Sequence, residues 1–342
     1  MRALVLCRLT AAMLAAGLLA GCTDGTLVHV PASAPAPAKS VSLQDTKTIS
    51  LEQGDAPSYL AFGPNGTLWF TEPGGNEIAQ VSSAGELTQY ALQAQTNNDP
   101  EDIIDVPGGG MWFTGLGVIG RIAADGSVRL WHETVTGAGV WLPDAMTVGP
   151  AGAIWYTEDS GHVCRIATTG KSTCFGTHPS TPGILMRGLA MGPDGALWFT
   201  EDNPGSAADP QNAIGRLTAS GRYRHWLLPP GSSPTRIAAG RDGALWFTER
   251  VSQRIGRITT SGVITQFPLP RGTYPSDIIS GPDGALWFSS DTSVGRITTA
   301  GQITLWPVPG AQQLGGITDA PDGSLWLTDS VGDAIRHFIP PA

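Results

Sequence analysis

Apolar and polar residues alternate along most of this chain in short runs, and glycine-rich breaks interrupt them at regular intervals. Residues 234–270 read PTRIAAGRDGALWFTERVSQRIGRITTSGVITQFPLP, with the apolar runs RIAA, ALWFT, IGRIT and VITQF set between turn signals such as RDG and TSG. Runs this short, rich in β-branched and aromatic residues, predict strands, and four in succession predict an antiparallel meander. The phrase around the second run occurs seven times, centred on Trp69, Trp112, Trp155, Trp198, Trp246, Trp287 and Trp326, at spacings of 43, 43, 43, 48, 41 and 39 residues. A four-stranded unit repeating at about forty residues builds a radial array. The expected fold is therefore all-β: a seven-bladed β-propeller of four-stranded antiparallel blades.

The strands of each blade are lettered A (innermost) to D (outermost). A single blade leaves both faces bare, so neighbours must pack face to face. The strand B tryptophans and the strand D aromatics (Tyr90, Trp131, Phe175, Trp226, Phe267 and Trp306) are expected to supply most of that contact. The last repeat supplies A (314–319), B (324–329) and C (334–339) and then reads Pro340-Pro341. Residues 46–53 have strand character and no repeat of their own, so they are predicted to complete the seventh blade and close the ring, hiding two sheet edges.

Composition adds the compartment. Only 14% of the 342 residues are charged and 45 are glycine, as turn-dense β structure requires. The net charge of −9 argues against nucleic acid as a partner, and a monomer is expected. Residues 1–22 read as a targeting segment: Arg2 and Arg8 flank the apolar stretch 9–20, and Leu19-Ala20-Gly21-Cys22 resembles a bacterial lipoprotein signal. That resemblance implies export, lipid on Cys22 and a membrane-anchored periplasmic or cell-surface protein. Residues 23–45, with PASAPAPAKS, read as a Pro/Ala-rich linker, and 46–342 as the propeller. Cys164 and Cys174 flank a turn in the third blade and should lie near-opposite across strands C and D, in bridging range.

Chemistry is sought at the start of each strand A, where equivalent positions ring one mouth of the central channel. A P-x-x-I pattern aligns Pro57-Ser58-Tyr59-Leu60, Pro100-Glu101-Asp102-Ile103, Pro143-Asp144-Ala145-Met146, Met186-Arg187-Gly188-Leu189, Pro234-Thr235-Arg236-Ile237, Pro275-Ser276-Asp277-Ile278 and Leu314-Gly315-Gly316-Ile317. The fourth position is uniformly apolar and is core; the second and third differ from blade to blade. Glu101, Asp102, Asp144, Arg187, Arg236 and Asp277 are the ligand-binding candidates, with Trp141 as a stacking platform or simply a cover for its long loop. Glu101 and Asp144 are the candidate ligands for a divalent cation. The same charges equally suit an ion-pair network around the channel. The acid three residues after most of the tryptophans (Glu72, Glu158, Glu201, Glu249, Asp329), together with Arg121, Arg165, Arg216, Arg257 and Arg296 of strand C, reads as structural pairing because it recurs around the ring.

The phrases GPDGALWFTE and IGRITTSGVITQFPLP, with the P-x-x-I spacing, resemble the streptogramin (virginiamycin B) lyase family over residues 46–339. The resemblance implies a seven-bladed propeller that opens cyclic depsipeptides by Mg2+-assisted elimination, with histidine as general base. The family's four functional positions fall here on Ser276, Gln313, Gly315 and Ser330, in place of histidine, glutamate, histidine and glutamate. Elimination needs a base within reach of the α-proton, and neither serine nor glycine is one. The reading is a binding or scaffold propeller that recognises a small molecule, glycan or protein at the mouth. The alternative is a metal-assisted carbon–oxygen lyase or lactonase for a cyclic ester, its site moved to blades 2–4, with Glu101 or Asp144 as metal ligand or base and Arg187 binding an oxyanion.

Overall fold

The computed structural model describes residues 39–40, 48–92, 98–132, 142–159, 161–167, 170–176, 184–202 and 212–341. The leader with Cys22, most of the linker and Trp141 lie outside the described residues. The repeat phrases become seven antiparallel blades. Blade 5 is typical, with A at Pro234–Ala239, B at Ala244–Glu249, C at Arg254–Thr259 and D at Ile264–Pro268.

Alternation along strand B sends tryptophan to one face and its neighbours to the other. In blades 1–6 the tryptophan stacks on the strand D ring of its own sheet, as in Trp112–Trp131 at 4.8 Å and Trp246–Phe267 at 5.5 Å between centroids. In blade 7, His337 of strand C, directly opposite Trp326, stacks on it instead. The opposite face of the next blade covers this stack: Trp246 packs with Leu286, Phe288 and Ile297 of blade 6. Gly262 (φ +97°) turns strand C of blade 5 into strand D flat against Trp226 of blade 4, where any Cβ would enter the indole. The ring is thus a chain of seven interblade cores.

The seventh core closes as expected. Thr48–Ser50 pairs antiparallel with strand C of blade 7 (Ala334–Phe338), and Ile49 is buried with Leu60, Phe70, Trp326 and Ile335 between blades 7 and 1. Cys164 and Cys174 are directly opposed and form the disulfide. One difference concerns the linker: Lys39–Ser40 pairs with Glu86–Leu87 as a fifth, outermost strand of blade 1. Strand D is otherwise an open edge whose N–H and C=O groups accept any extended segment beside them.

The recurrent acids and arginines are structural, but they do not pair with each other in blades 4–6. There the turn aspartate before strand B takes both partners. Asp242 accepts from Trp246 Nε1 at 3.1 Å and from Arg257 Nε at 2.7 Å. Asp194 does the same for Trp198 and Arg216, and Asp283 for Trp287 and Arg296. The acids after tryptophan are buried on the other side and meet strand D side chains or loop N–H groups. Glu249 accepts from Gln266 and Ser252, Glu72 from Gln89, and Glu201 from Tyr223.

Candidate functional site

Strand A loses register with strand B in the middle of the P-x-x-I segment, between Pro143 and Met146, Pro234 and Ile237, Pro275 and Ile278, and Leu314 and Ile317. The two variable residues lie in this bulge, which re-aims side chains and leaves backbone groups unpaired. A hydroxyl two residues after each strand B tryptophan fills the gap. Thr248 Oγ1 accepts from the N–H of Arg236 at 3.0 Å and donates to the carbonyl of Ser276 in the next blade at 3.0 Å. Thr71, Thr114, Thr157, Thr200, Ser289 and Thr328 make the same outward bond, the last reaching Ser58 of blade 1. Seven hydroxyls therefore stitch the inner strands into a closed ring. The motif was visible as Thr or Ser in all seven phrases, although attention to the following acid passes over it.

Within that ring the third positions converge on the channel axis. Arg236 of blade 5 is buried, lies 3.7 Å over the Tyr59 ring of blade 1 and donates from Nε to Tyr59 Oη at 2.8 Å. Its Nη atoms stand 3.7 Å from Asp102 Oδ2 and 3.8 Å from Asp144 Oδ1. Asp277 of blade 6 contributes to the same field. Asp102 also crosslinks blades: its carboxylate accepts from its neighbour Ile103 N–H at 2.9 Å and from Met146 N–H of blade 3 at 2.8 Å. Asp277 repeats this with Ile278 and, in blade 7, Ile317.

Burial pushes the Asp102 carboxyl up to about 6, against the opposing pull of Arg236 and the Met146 N–H, and raises Asp277 for the same first reason. Burial works against the Arg236 guanidinium, yet Tyr59 and the three aspartates lift its pKa above the ordinary arginine value. The Tyr59 phenol is held well above its usual range, chiefly by burial. These groups set three carboxyls around one guanidinium.

Five of the expected residues thus find places around the inner ring. Asp102, Asp144, Arg236 and Asp277 meet at the axis, and Glu101 accepts from Ser58 Oγ at 2.9 Å across the seam between blades 1 and 2. Arg187 does not join them. Arg187 precedes strand A of blade 4, which begins at Leu189, and its charge acts on Asp202. Tyr59, absent from the candidates, is the partner that holds Arg236. As the one aromatic among the seven third positions it was open to notice.

The family's catalytic positions are occupied differently. Ser276 Oγ accepts from Arg250 Nη1 at 2.7 Å, and Arg250 Nη2 donates to Asp291 Oδ1 at 2.7 Å. A Cβ on Gly315 would lie 2.9 Å from Thr328 Oγ1. The Gln313 carbonyl accepts from the Ser330 N–H at 3.0 Å. The neighbouring carboxylate, Asp329, is spent on the N–H groups of Gln312, Gln313 and Gly332 and on Arg336. A magnesium ion wants anionic oxygen ligands, and these residues do not fit one. The candidate pair does no better, because Asp144 faces Arg236 and Glu101 faces Ser58. Among the described residues the one trio with metal-ligand spacing is Glu158, Cys164 and Cys174, whose thiols are joined in the disulfide.

Comparison with known proteins agrees with this architecture. The family model for the virginiamycin B lyases matches residues 19–208 and 142–340, two overlapping stretches that together cover most of the chain. The virginiamycin B lyase of Nocardia farcinica is 32% identical over 129 residues, 36% of this chain and 42% of that protein, so the match spans well under half of that relative's length. A streptogramin B lyase structure superposes with a TM-score of 0.76 at 27% identity, covering 85% of this chain and 96% of the other. The catalytically inactive histidine-to-alanine variant of Staphylococcus aureus virginiamycin B lyase, solved with quinupristin, has a TM-score of 0.76 at 31% identity, over 86% of this chain and 98% of that one.

Proposed function

The chain belongs to the virginiamycin B lyase family, and we propose that within it this propeller binds rather than cleaves. On this reading it is an exported, lipid-anchored protein, tethered through Cys22, that holds a small molecule, glycan or protein partner at the channel mouth. The observation that carries the reading is the pair of positions where the family resemblance expects histidine. Ser276 has no basic nitrogen and is engaged by Arg250, while Gly315 has no room for a side chain unless Thr328 moves. Removing an α-proton requires a base within hydrogen-bond reach. Burial pushes the axial carboxyl of Asp102 up to about 6 and raises Asp277, and each is tied to two backbone N–H groups, Asp102 also facing Arg236. The relocated lyase or lactonase site therefore has no observation in its favour.

Three carboxyls around one guanidinium favour a ligand that brings hydrogen-bond donors or positive charge to the mouth. Incubation with quinupristin and Mg2+, followed by mass spectrometry, is expected to return the ring intact. Opening of the ring at a rate above background would overturn the binding reading. Native mass spectrometry of the protein extracted from its own membrane is expected to show a retained ligand that Asp144→Asn loses.

A further inference from the structure

On the face opposite that mouth, blades 2 and 3 depart from the arrangement of blades 4–6. In blades 4–6 the turn aspartate joins the tryptophan indole N–H to the arginine beside it on strand C. Blade 2 has Gly108 at that turn position and blade 3 has Ala151, so neither supplies a carboxylate. The tryptophan and arginine remain in register, Trp112 opposite Arg121 and Trp155 opposite Arg165. Arg165 even keeps the stacking distance of the complete blades, 5.8 Å over Trp155 against 5.8, 5.7 and 5.9 Å for Arg216, Arg257 and Arg296. Nε1 of Trp112 and of Trp155 is buried with no hydrogen-bond partner among the described residues. A buried N–H without an acceptor is uncommon in folded proteins and marks a place where something is missing.

The two incomplete blades border one cleft of about 480 Å³, within the range that holds small organic ligands. Trp112, Arg121 and Arg165 line it, with Val106, Ile154 and Ile166 as an apolar wall and no acidic residue among the lining. Arg121 Nε donates to the Gly109 carbonyl, and the side chain lines the cleft. In a chain of net charge −9 this is a local concentration of cationic donors.

We infer that the cleft between blades 2 and 3 binds a small organic carboxylate, which takes the place that the turn aspartate fills in blades 4–6. One carboxylate oxygen accepts from Trp112 Nε1 and the other from an Arg121 Nη. Arg165 adds the second positive charge, and the apolar part of the ligand lies on Val106, Ile154 and Ile166. Charge-assisted bonds of this kind are the strong ones.

The probe is benzoate, with inorganic phosphate as the comparison. Titration of 15N-labelled protein is expected to give a saturable downfield shift of the Trp112 indole N–H, assigned through Trp112→Phe. Arg121→Gln is expected to weaken benzoate about tenfold or more. Ala151→Asp gives a control that cannot be explained by misfolding. Its backbone precedes Gly152 (φ +72°) as Asp194 precedes Gly195 (φ +72°), so the new carboxylate should pair with Arg165 and Trp155. That variant is expected to melt higher than the parent and to bind benzoate more weakly. A linear, unsaturable shift, unchanged affinity in both Arg121→Gln and Ala151→Asp, or phosphate binding as tight as benzoate would overturn the assignment.

Discussion

Replacing Thr248 by valine tests whether the hydroxyl ring holds the inner strands together. Valine keeps the shape and removes the oxygen that accepts from Arg236 N–H and donates to the Ser276 carbonyl, both at 3.0 Å. Thr248 is fully buried, so water does not replace the oxygen. Each backbone group left without its partner costs about 1–3 kcal/mol, giving about 2–6 kcal/mol for the two. Thr248→Ser keeps both bonds and loses one methyl group, worth about 1 kcal/mol. For a domain of this size 1 kcal/mol moves the midpoint by about 2 °C. Calorimetry should therefore place Thr248→Val about 4–12 °C below the parent and Thr248→Ser about 2 °C below it. Urea midpoints should follow the same order with unchanged slopes. A valine variant as stable as the serine variant would refute the argument, because the two differ chiefly in the hydroxyl.

Two further expectations concern the same scaffold. Burial raises the Glu72 carboxyl from 4.5 to about 8, so between these values the folded protein holds a proton that the unfolded chain has released. Stability from this group is full below pH 4.5 and is lost as pH rises toward 8; Glu72→Gln should flatten that decline in melting temperature, and an unchanged slope would show that Glu72 does not titrate there. Deleting residues 48–53 removes Ile49 from its pairing with Ile335 and uncovers Trp326. The melting temperature should fall further than for Thr248→Val, and an unaltered curve would contradict ring closure through this strand.

The fold was legible because the repeat multiplies a weak signal. One ALWFT run does not distinguish a strand from part of a helix, but seven at about forty-residue spacing do. The closing strand and the disulfide followed from counting, since blade 7 lacked strand D and Cys164 and Cys174 were equidistant from one turn. The partner of the strand C arginines differs from the expected acid for a reason that lies in strand geometry. Arg257 registers opposite Trp246 and shares its face, whereas Glu249 lies three residues from Trp246 and therefore on the opposite face. The turn aspartate is the acid on the correct side. Arg187 illustrates the opposite limit, because repeat alignment makes it equivalent to Glu101 and Asp144, while its charge acts on Asp202 instead. That Arg236 crosses the channel to Tyr59 depends on the channel's width, which no local pattern encodes.

The seven hydroxyls and their outward bonds are kept in every blade, so the ring tolerates change elsewhere without coming apart. Departures from the repeat are confined to positions that this ring does not use. At the mouth, Ser276 and Gly315 stand where the family resemblance expects a base, and Asp102, Asp144 and Asp277 gather around Arg236. On the opposite face, Gly108 and Ala151 remove carboxylates that blades 4–6 retain, leaving buried indole donors in two adjacent blades. A lost acid in one blade would be a local defect. The same loss in neighbouring blades borders one cleft, where the Trp112 indole and two arginines can meet one ligand. For that reason the incomplete blades, and not the conserved phrase, are the places where binding should be sought.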